Sequence, residues 1–251
     1  MLGVGGGIIM VPMLSLAFGV PIKVAIATSI VCVIATSSMA QTAFVSRGMT
    51  NVSLGMLLEV ATTVGAVVGG VTAVLIDGRV LQFCFAAVLV YVAWQMNRHG
   101  GDVTPARTGV LEANYYDPAT RRDVRYCVRR TRLGFVLSMG AGNVSGLLGV
   151  GGGAFKVPIM NLLMGVPLKA TIATSNLMIG VTAAASAAIF YGRGYMDPYY
   201  AVPAALGILV GARLGPRLAV RLSARALGII FQVVLLVFAV MMLLRGLGLG
   251  L

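Results

Sequence analysis

Charged residues are scarce in this sequence. Of its 251 residues only 10% are charged, whereas 59% are hydrophobic, and the mean hydropathy is +0.96. A soluble domain carries about 25% charged residues, so this chain lacks the polar coat that a water-exposed surface needs. The composition therefore favours an integral membrane protein over the alternative, a large α-helical protein with a buried apolar core.

Residues that bind metals or catalyse reactions are also few. The chain has one histidine, three cysteines and seven acidic residues. It contains no His-Glu-x-x-His or Gly-x-Ser-x-Gly motif and no P-loop motif. Cys32, Cys84 and Cys127 have no metal-binding or redox spacing, so we expect free thiols. We therefore expect no metal and no other cofactor, and no sequence motif favours an enzyme.

Long apolar runs fill most of the chain. A membrane-spanning helix needs about 20 predominantly apolar residues, and several runs approach or exceed that length. They are Ile22–Val45, Val52–Ile76, Val80–Met96, Leu168–Tyr191, Tyr199–Leu222 and Ala226–Leu244. We expect each of them to form a transmembrane helix, which makes this a multi-pass membrane protein.

The basic residues are concentrated in one polar segment. The formal net charge is +12, and eight of the 16 arginines lie between Arg98 and Arg132, together with four of the seven acidic residues. This mixed cluster is not typical of nucleic-acid binding. Arginines beside membrane spans usually face the cytoplasm, so we expect a polar loop on that side of the inner (plasma) membrane. The loop either binds anionic lipid headgroups or only connects two membrane halves.

The sequence from Gly3 to Ser29 recurs from Gly149 to Ser175. At a constant offset of 146 positions, 16 of these 27 residues are identical. Each copy opens with Gly-Val-Gly-Gly-Gly and continues to Gly-Val-Pro-x-Lys-x-x-x-Ala-Thr-Ser. We therefore expect two homologous membrane repeats, residues 1–98 and 132–251, joined by a basic linker loop at 99–131.

The glycine triplets interrupt apolar stretches that are short for membrane spans. Leu133–Leu148 and Ala154–Gly165 flank the second triplet, and neither reaches about 20 residues. We interpret the pair as a re-entrant hairpin whose turn lies against protein or water, because irregular backbone is not tolerated against lipid. The counterpart of Leu133–Leu148 would precede Met1, so either the true start lies upstream or the first repeat has only half a hairpin. One hairpin and three spans make an odd number of crossings, which predicts an all-α membrane protein of two inverted repeats.

The duplicated motif resembles that of the sulfite exporter TauE/SafE family of membrane transporters. The matching residues are Gly3–Gly7, Val11-Pro12, Gly19–Pro21, Lys23 and Ala27–Ser29 in the first half, and Gly149–Gly153, Val157-Pro158, Gly165–Pro167, Lys169 and Ala173–Ser175 in the second. The resemblance spans essentially the whole chain except the first half-helix. It implies transport of sulfite, sulfonates or related small anions.

The glycine triplets are candidate substrate-binding elements. Successive glycines leave backbone N–H groups accessible at the start of a helix, and helix N-termini attract anions. The expected anion-binding glycines are Gly5, Gly6, Gly7, Gly151, Gly152 and Gly153. The alternative is that these glycines only allow helices to pack closely.

Polar side chains near the triplets are further candidates for binding an oxyanion. They are Thr28, Ser29, Asn143, Thr174, Ser175 and Asn176. Their hydroxyl and amide groups can donate hydrogen bonds to the anion if the spans approach the glycine turns. The alternative is that Ser and Thr bond their own helix backbone.

Lys156 and Glu59 are charged residues within apolar segments. Such charges are costly in a membrane and are functional candidates by default. Lys156 lies about one helical turn beyond the glycines, so we assign it to the substrate. The alternative is that Lys156 forms a bridge to Glu59. If there is no such bridge, Glu59 is a candidate to carry a coupling proton.

These observations predict a secondary transporter of sulfite, a sulfonate or another organosulfur or organic anion. Transport would proceed by alternating access, with the site between the repeats. Its partners would be the anion, membrane lipids and coupling protons or other ions, but no nucleic acid. An anion channel is the alternative within membrane transport, and a membrane-embedded enzyme is the alternative from another class. The sequence does not determine the oligomeric state.

Overall fold

The computed structural model describes residues 6–45, 48–98, 111–117, 122–219 and 224–248. Most of them are helical. The helices are α1 (Gly7–Pro12), α2 (Ile22–Val45), α3 (Val52–Leu75), α4 (Gly78–Arg98), α5 (Thr131–Leu148), α6 (Gly153–Pro158), α7 (Leu168–Gly192), α8 (Pro198–Ala219) and α9 (Ala224–Gly246). The two strands are β1 (Leu111–Asp117) and β2 (Arg122–Val128).

Five helices in the described residues are long and apolar enough to cross a membrane. They are α2, α3, α4, α7 and α9, and they match five of the six expected spans within a few residues. The sixth expected span, Tyr199–Leu222, corresponds to α8, whose described residues include the apolar stretch Pro198–Leu214. The chain is therefore an α-helical multi-pass membrane protein, with five such helices among the described residues.

The sequence analysis expected the linker to be a loop, but the linker contains a two-stranded β-hairpin. Strands β1 and β2 pair antiparallel, with Leu111 opposite Val128 and Asp117 opposite Arg122. Buried Tyr115 faces buried Tyr126 with the ring centroids 6.3 Å apart. Apolar and polar side chains alternate from Leu111 to Tyr115 and from Asp123 to Tyr126, which is the period of a half-buried hairpin. That alternation was the sequence signal for this departure from an all-α chain.

Each glycine triplet leads into a short helix, and the two helices are interrupted in the same way. Gly6 and Gly152 precede α1 and α6 with φ values of 73° and 69°, a left-handed conformation that suits glycine. Each helix ends at a proline, Pro12 or Pro158, and continues as one π-helical turn. Because proline has no N–H to donate, the regular ladder is interrupted there. The repeat seen in the sequence is thus also a repeat of local structure.

Helices α3 and α5 pack at very close range through glycines. A Cβ atom on Gly65 or Gly69 would collide with the α5 backbone, and one on Gly142 or Gly146 would collide with the α3 backbone. Small residues let helix axes approach in this way within membranes. Glu59 lies on α3 six residues, or about 1.7 turns, before Gly65.

Candidate functional site

The two glycine turns meet at one serine of α2. Ser29 Oγ lies 3.0 Å from the carbonyl oxygen of Gly149 and 3.4 Å from that of Gly7, as a donor to both. A Cβ atom added to Gly7 would be only 2.5 Å from the Gly149 oxygen. The fold therefore brings together Gly7 and Ser29 of the first repeat with the glycine turn of the second.

The second glycine turn is buried and tightly packed. A Cβ atom on Gly151 would lie 2.9 Å from Val33 and 3.0 Å from Ile179, and one on Gly152 would lie 3.0 Å from Ser145 Cβ. Gly153 is buried as well. Such close packing is what the alternative interpretation predicts, in which the glycines only allow helices to approach one another. In the first turn Gly6 is exposed, and Gly5 lies outside the described residues.

Thr28 and Ser175, the other members of the two Thr-Ser pairs, have buried hydroxyl groups. Both residues are 0% exposed, and neither hydroxyl has a hydrogen-bond partner among the residues that the structure describes. Most buried polar groups in proteins are paired. Their repeat equivalents, Thr174 and Ser29, do have partners. Within the two Thr-Ser pairs, each repeat thus has one hydroxyl without a partner among the described residues.

Thr174 instead connects α7 to the linker hairpin through Asn51. The Asn51 backbone N–H donates to Thr174 Oγ1 over 3.0 Å, and its side-chain Nδ2 donates to the Tyr126 hydroxyl over 3.0 Å. Burial raises the pKa of Tyr126 above its ordinary value, so this phenol stays neutral at physiological pH. The sequence analysis missed Asn51, whose position before α3 indicated only a helix cap.

Asn176 and Asn143, which were predicted to bind substrate, make other contacts. Asn176 Nδ2 donates to the Ile172 carbonyl of its own helix over 2.9 Å, and its main-chain oxygen accepts from Ser37. The Asn143 backbone packs against Gly65 and Gly69 of α3. Neither contact joins these residues to the glycine turns.

Lys156 and Glu59 form a buried ion pair. Their exposed fractions are 1% and 7%, and Lys156 Nζ lies 3.8 Å from Glu59 Oε2. Thr182 joins them, because its hydroxyl accepts from Lys156 Nζ at 2.7 Å and lies 2.8 Å from Glu59 Oε1 as a donor. This is the bridge that the sequence analysis gave as the alternative to a substrate role for Lys156.

Two more threonines complete the surroundings of the carboxylate. Thr62 Oγ1 donates to Glu59 Oε2 over 2.9 Å, and Thr63 Oγ1 donates to Oε1 over 3.0 Å. They follow Glu59 by three and four residues on α3, a helical spacing that the sequence reading overlooked. Thr182 had no local signal, since it reaches Glu59 only through the packing of α7 on α3.

The pair is also attached to the second glycine turn. The Lys156 backbone N–H donates to the Gly152 carbonyl over 3.0 Å. A cation, a carboxylate and three hydroxyl groups therefore lie within one hydrogen-bonded cluster beside this turn. Such a cluster can hold a proton or respond to a bound anion. No group of three or more His, Cys, Asp and Glu residues suited to a metal occurs in the described part of the chain.

Comparison with known proteins points to membrane transport. The family described as sulfite exporter TauE/SafE matches residues 1–242. A protein named probable membrane transporter protein YunE, of Bacillus subtilis (strain 168), is 23% identical over 255 residues, which cover 98% of this chain and 92% of that protein. No solved structure matches the chain significantly.

Proposed function

Because this chain belongs to the sulfite exporter TauE/SafE family of membrane transporters, we propose that it is a secondary transporter of small anions in the plasma membrane. The substrate is sulfite, a sulfonate or a related organosulfur or organic anion. The observation that carries the proposal is the meeting of both glycine turns at Ser29. One centre is thereby built from both repeats, as alternating access requires.

The unpaired hydroxyls of Thr28 and Ser175 are the proposed ligands of the anion. A buried hydroxyl without a partner loses the hydrogen bond that it has in water. An oxyanion that enters between the repeats offers acceptor atoms and restores that bond. The turns now touch one another and enclose the centre, so we interpret this arrangement as occluded. Separation of the turns would admit the anion from one side.

The contacts between α2 and α7 support the inverted arrangement of the repeats. Lys23, at the start of α2, lies with its Nζ 5.5 Å from the ring of Tyr195, which follows the end of α7. Toward the other end of α2, Ser37 contacts Asn176 in the first half of α7. Equivalent helices of the two repeats therefore run in opposite directions. Inversion lets the two repeats exchange conformations and so open the centre to either side.

The Lys156–Thr182–Glu59 cluster is the proposed coupling element. Glu59 accepts a proton when the centre opens to a more acidic compartment, and its negative charge then no longer holds Lys156. The freed ammonium group attracts the anion at the adjacent glycine turn. This order makes proton binding favour substrate binding, which is the thermodynamic requirement for coupled transport.

Transport by purified protein in liposomes tests this function. The panel comprises sulfite, thiosulfate, sulfonates and carboxylates, each with and without a pH gradient. Unlabelled anion on the far side should accelerate uptake of labelled anion if access alternates, whereas a channel shows no such exchange. No uptake of any anion in the panel would contradict the proposal.

Point variants locate the site more sharply than glycine substitutions do. Gly152→Leu would strain a left-handed position whatever the site does. Ser175→Ala and Thr28→Val remove only the unpaired hydroxyls, and each should raise the KM for the anion. Ser186→Ala is the matched control on α7, because the Ser186 hydroxyl donates to its own helix at Thr182 O. An unchanged KM in both site variants would place the anion elsewhere.

A further inference from the structure

A cavity with a basic lining lies at the end of the molecule away from the linker hairpin. Its volume is about 360 Å³, and it forms where the start of α2, the turn between α3 and α4 and the end of α9 meet. The hairpin contacts Asn51, beyond the opposite end of α2. The 24 residues of α2 separate the two places by about 36 Å.

Three basic side chains line this cavity against one acidic side chain. They are Lys23, Arg79 and Arg245, and the acidic residue is Asp77. Three positive charges and one negative charge leave a surplus of two positive charges. Since no other charged residue among those that the structure describes lines the cavity, the described wall does not compensate the surplus.

Contacts with neutral groups position two of these cations without neutralising them. Lys23 Nζ donates to the Val74 carbonyl over 2.7 Å, and Arg245 Nη1 donates to the Ser15 carbonyl. Ser15 also lines the cavity, is 1% exposed, and has a hydroxyl without a hydrogen-bond partner among the described residues. A further acceptor in the cavity would satisfy that hydroxyl.

The cations are unusual for this end of the molecule. Most arginines of the chain lie in or beside the linker and the end of α8, whereas the end with the cavity holds few basic residues. Three of those few converge on one cavity. Repulsion among them is unfavourable unless a bound anion offsets it.

We infer that this cavity binds an oxyanion group, either on a free small anion or in the phosphate of a lipid headgroup. Arg79 offers the paired N–H donors that match such a group, and Lys23 adds a point charge. The volume falls in the usual range for small ligands, about 300–1,000 Å³, so an organic substituent also fits. The site is separate from the glycine turns, because Lys23 precedes Ser29 by about 9 Å along α2.

Binding to the purified, delipidated full chain tests the inference. Sulfite and inorganic phosphate are titrated at constant ionic strength with chloride as background, and phosphatidylglycerol is compared with phosphatidylcholine by native mass spectrometry. Arg79→Gln should weaken binding by about threefold to tenfold, as expected for one charge-assisted hydrogen bond. Asp77→Asn should strengthen binding by a similar factor. Asparagine keeps the Oδ1 atom that accepts the Arg79 backbone N–H at 3.2 Å, so the start of α4 stays capped.

Arg193→Gln is the matched control, because Arg193 is exposed and does not line the cavity. Opposite effects of the two cavity variants on sulfite or phosphate binding would establish a free anion as the ligand. The same opposite effects on phosphatidylglycerol adducts alone would establish a lipid phosphate. The inference is overturned if none of the probes binds, or if Arg79→Gln and Asp77→Asn both bind like the control. Since the readout is binding at a site away from the turns, loss of transport in Ser175→Ala does not affect it.

Discussion

Ser29 and Ser175 occupy equivalent positions in the two repeats, but their hydroxyl groups have different surroundings. Ser29 bonds to both glycine turns, whereas Ser175 is buried without a partner among the described residues. The same residue type therefore stabilises the closed arrangement in one repeat and remains available to a ligand in the other. Duplication supplied both residues, and the tertiary structure separated their roles.

Replacing serine by alanine should have different effects on stability at Ser29 and at Ser175. Ser29→Ala removes the bonds that join the turns and should lower the free energy of unfolding by about 1–2 kcal/mol. Ser175→Ala removes a buried hydroxyl that makes no bond, so the thermal stability should stay unchanged or rise while anion affinity falls. Thermal unfolding in detergent and anion titration measure the two effects. Equal losses of stability in the two variants would contradict the hydrogen bonds described for Ser29 and the lack of a partner described for Ser175.

Lys156 and Glu59 give a second prediction. Lys156→Met, which copies Met10 of the first repeat, strands a buried carboxylate and should cost about 3–5 kcal/mol of stability. Adding Glu59→Gln should restore much of that loss, because the amide is neutral and its oxygen can still accept from Thr63 and Thr182 while its NH2 group donates to the Thr62 hydroxyl. A double-mutant cycle by thermal unfolding gives the coupling energy.

Anion binding by the same variants tests the substrate role of Lys156. If Lys156 also attracts the anion, the double variant regains stability but not affinity. Full recovery of anion affinity in the double variant would mean that Lys156 serves only the ion pair with Glu59. Additive losses of stability would instead show that the two side chains do not interact.

At the level of helices, the sequence was sufficient to locate most of the fold. The expected span Ile22–Val45 is α2 itself, and Val52–Ile76 exceeds α3 by one residue. These spans are identifiable because lipid demands uninterrupted apolar runs of about 20 residues, and proline or asparagine marks their starts. The linker hairpin escaped prediction because its alternating strands lie in a segment dominated by charge.

The candidate site was less accessible to sequence reasoning. The repeat drew attention to the glycine turns and the Thr-Ser pairs, since these residues recur at equivalent positions. It did not show that Ser29 bridges the turns or that Thr182 joins Lys156 to Glu59. Those contacts depend on how α2, α3 and α7 pack, and no local spacing encodes that packing.

The packing of α3 gives a prediction at the level of helices. In Gly65→Ala the new methyl group would collide with the Met139 carbonyl, and overpacking of this kind costs about 1–3 kcal/mol. Gly211 is the repeat equivalent on α8, where a Cβ atom meets nothing within 4 Å. Gly211→Ala should therefore be neutral or stabilise the helix by up to about 1 kcal/mol. Thermal unfolding of both variants checks the contrast, and a destabilised Gly211→Ala would mean that α8 packs against a surface not seen here.

For the whole molecule, the proposed inverted arrangement would account for how the basic residues are distributed. The polar linker and the segment around the end of α8 hold most of the arginines. If the repeats are inverted, both regions face the same side of the membrane, and the positive-inside rule places them in the cytoplasm. A parallel arrangement would put the arginines of the α8 segment on the opposite side from the linker.

Labelling of single cysteines tests this topology. In a background without Cys32, Cys84 and Cys127, Arg193→Cys lies after α7 and Arg125→Cys lies on β2, and both positions are exposed. An impermeant maleimide should label Arg193→Cys in intact cells and Arg125→Cys only after permeabilisation, because α7 is a membrane span that begins on the linker side. Labelling of both positions after permeabilisation is the control for reactivity. Equal labelling of both in intact cells would place linker and α7 end on one side, and the inverted arrangement would be wrong.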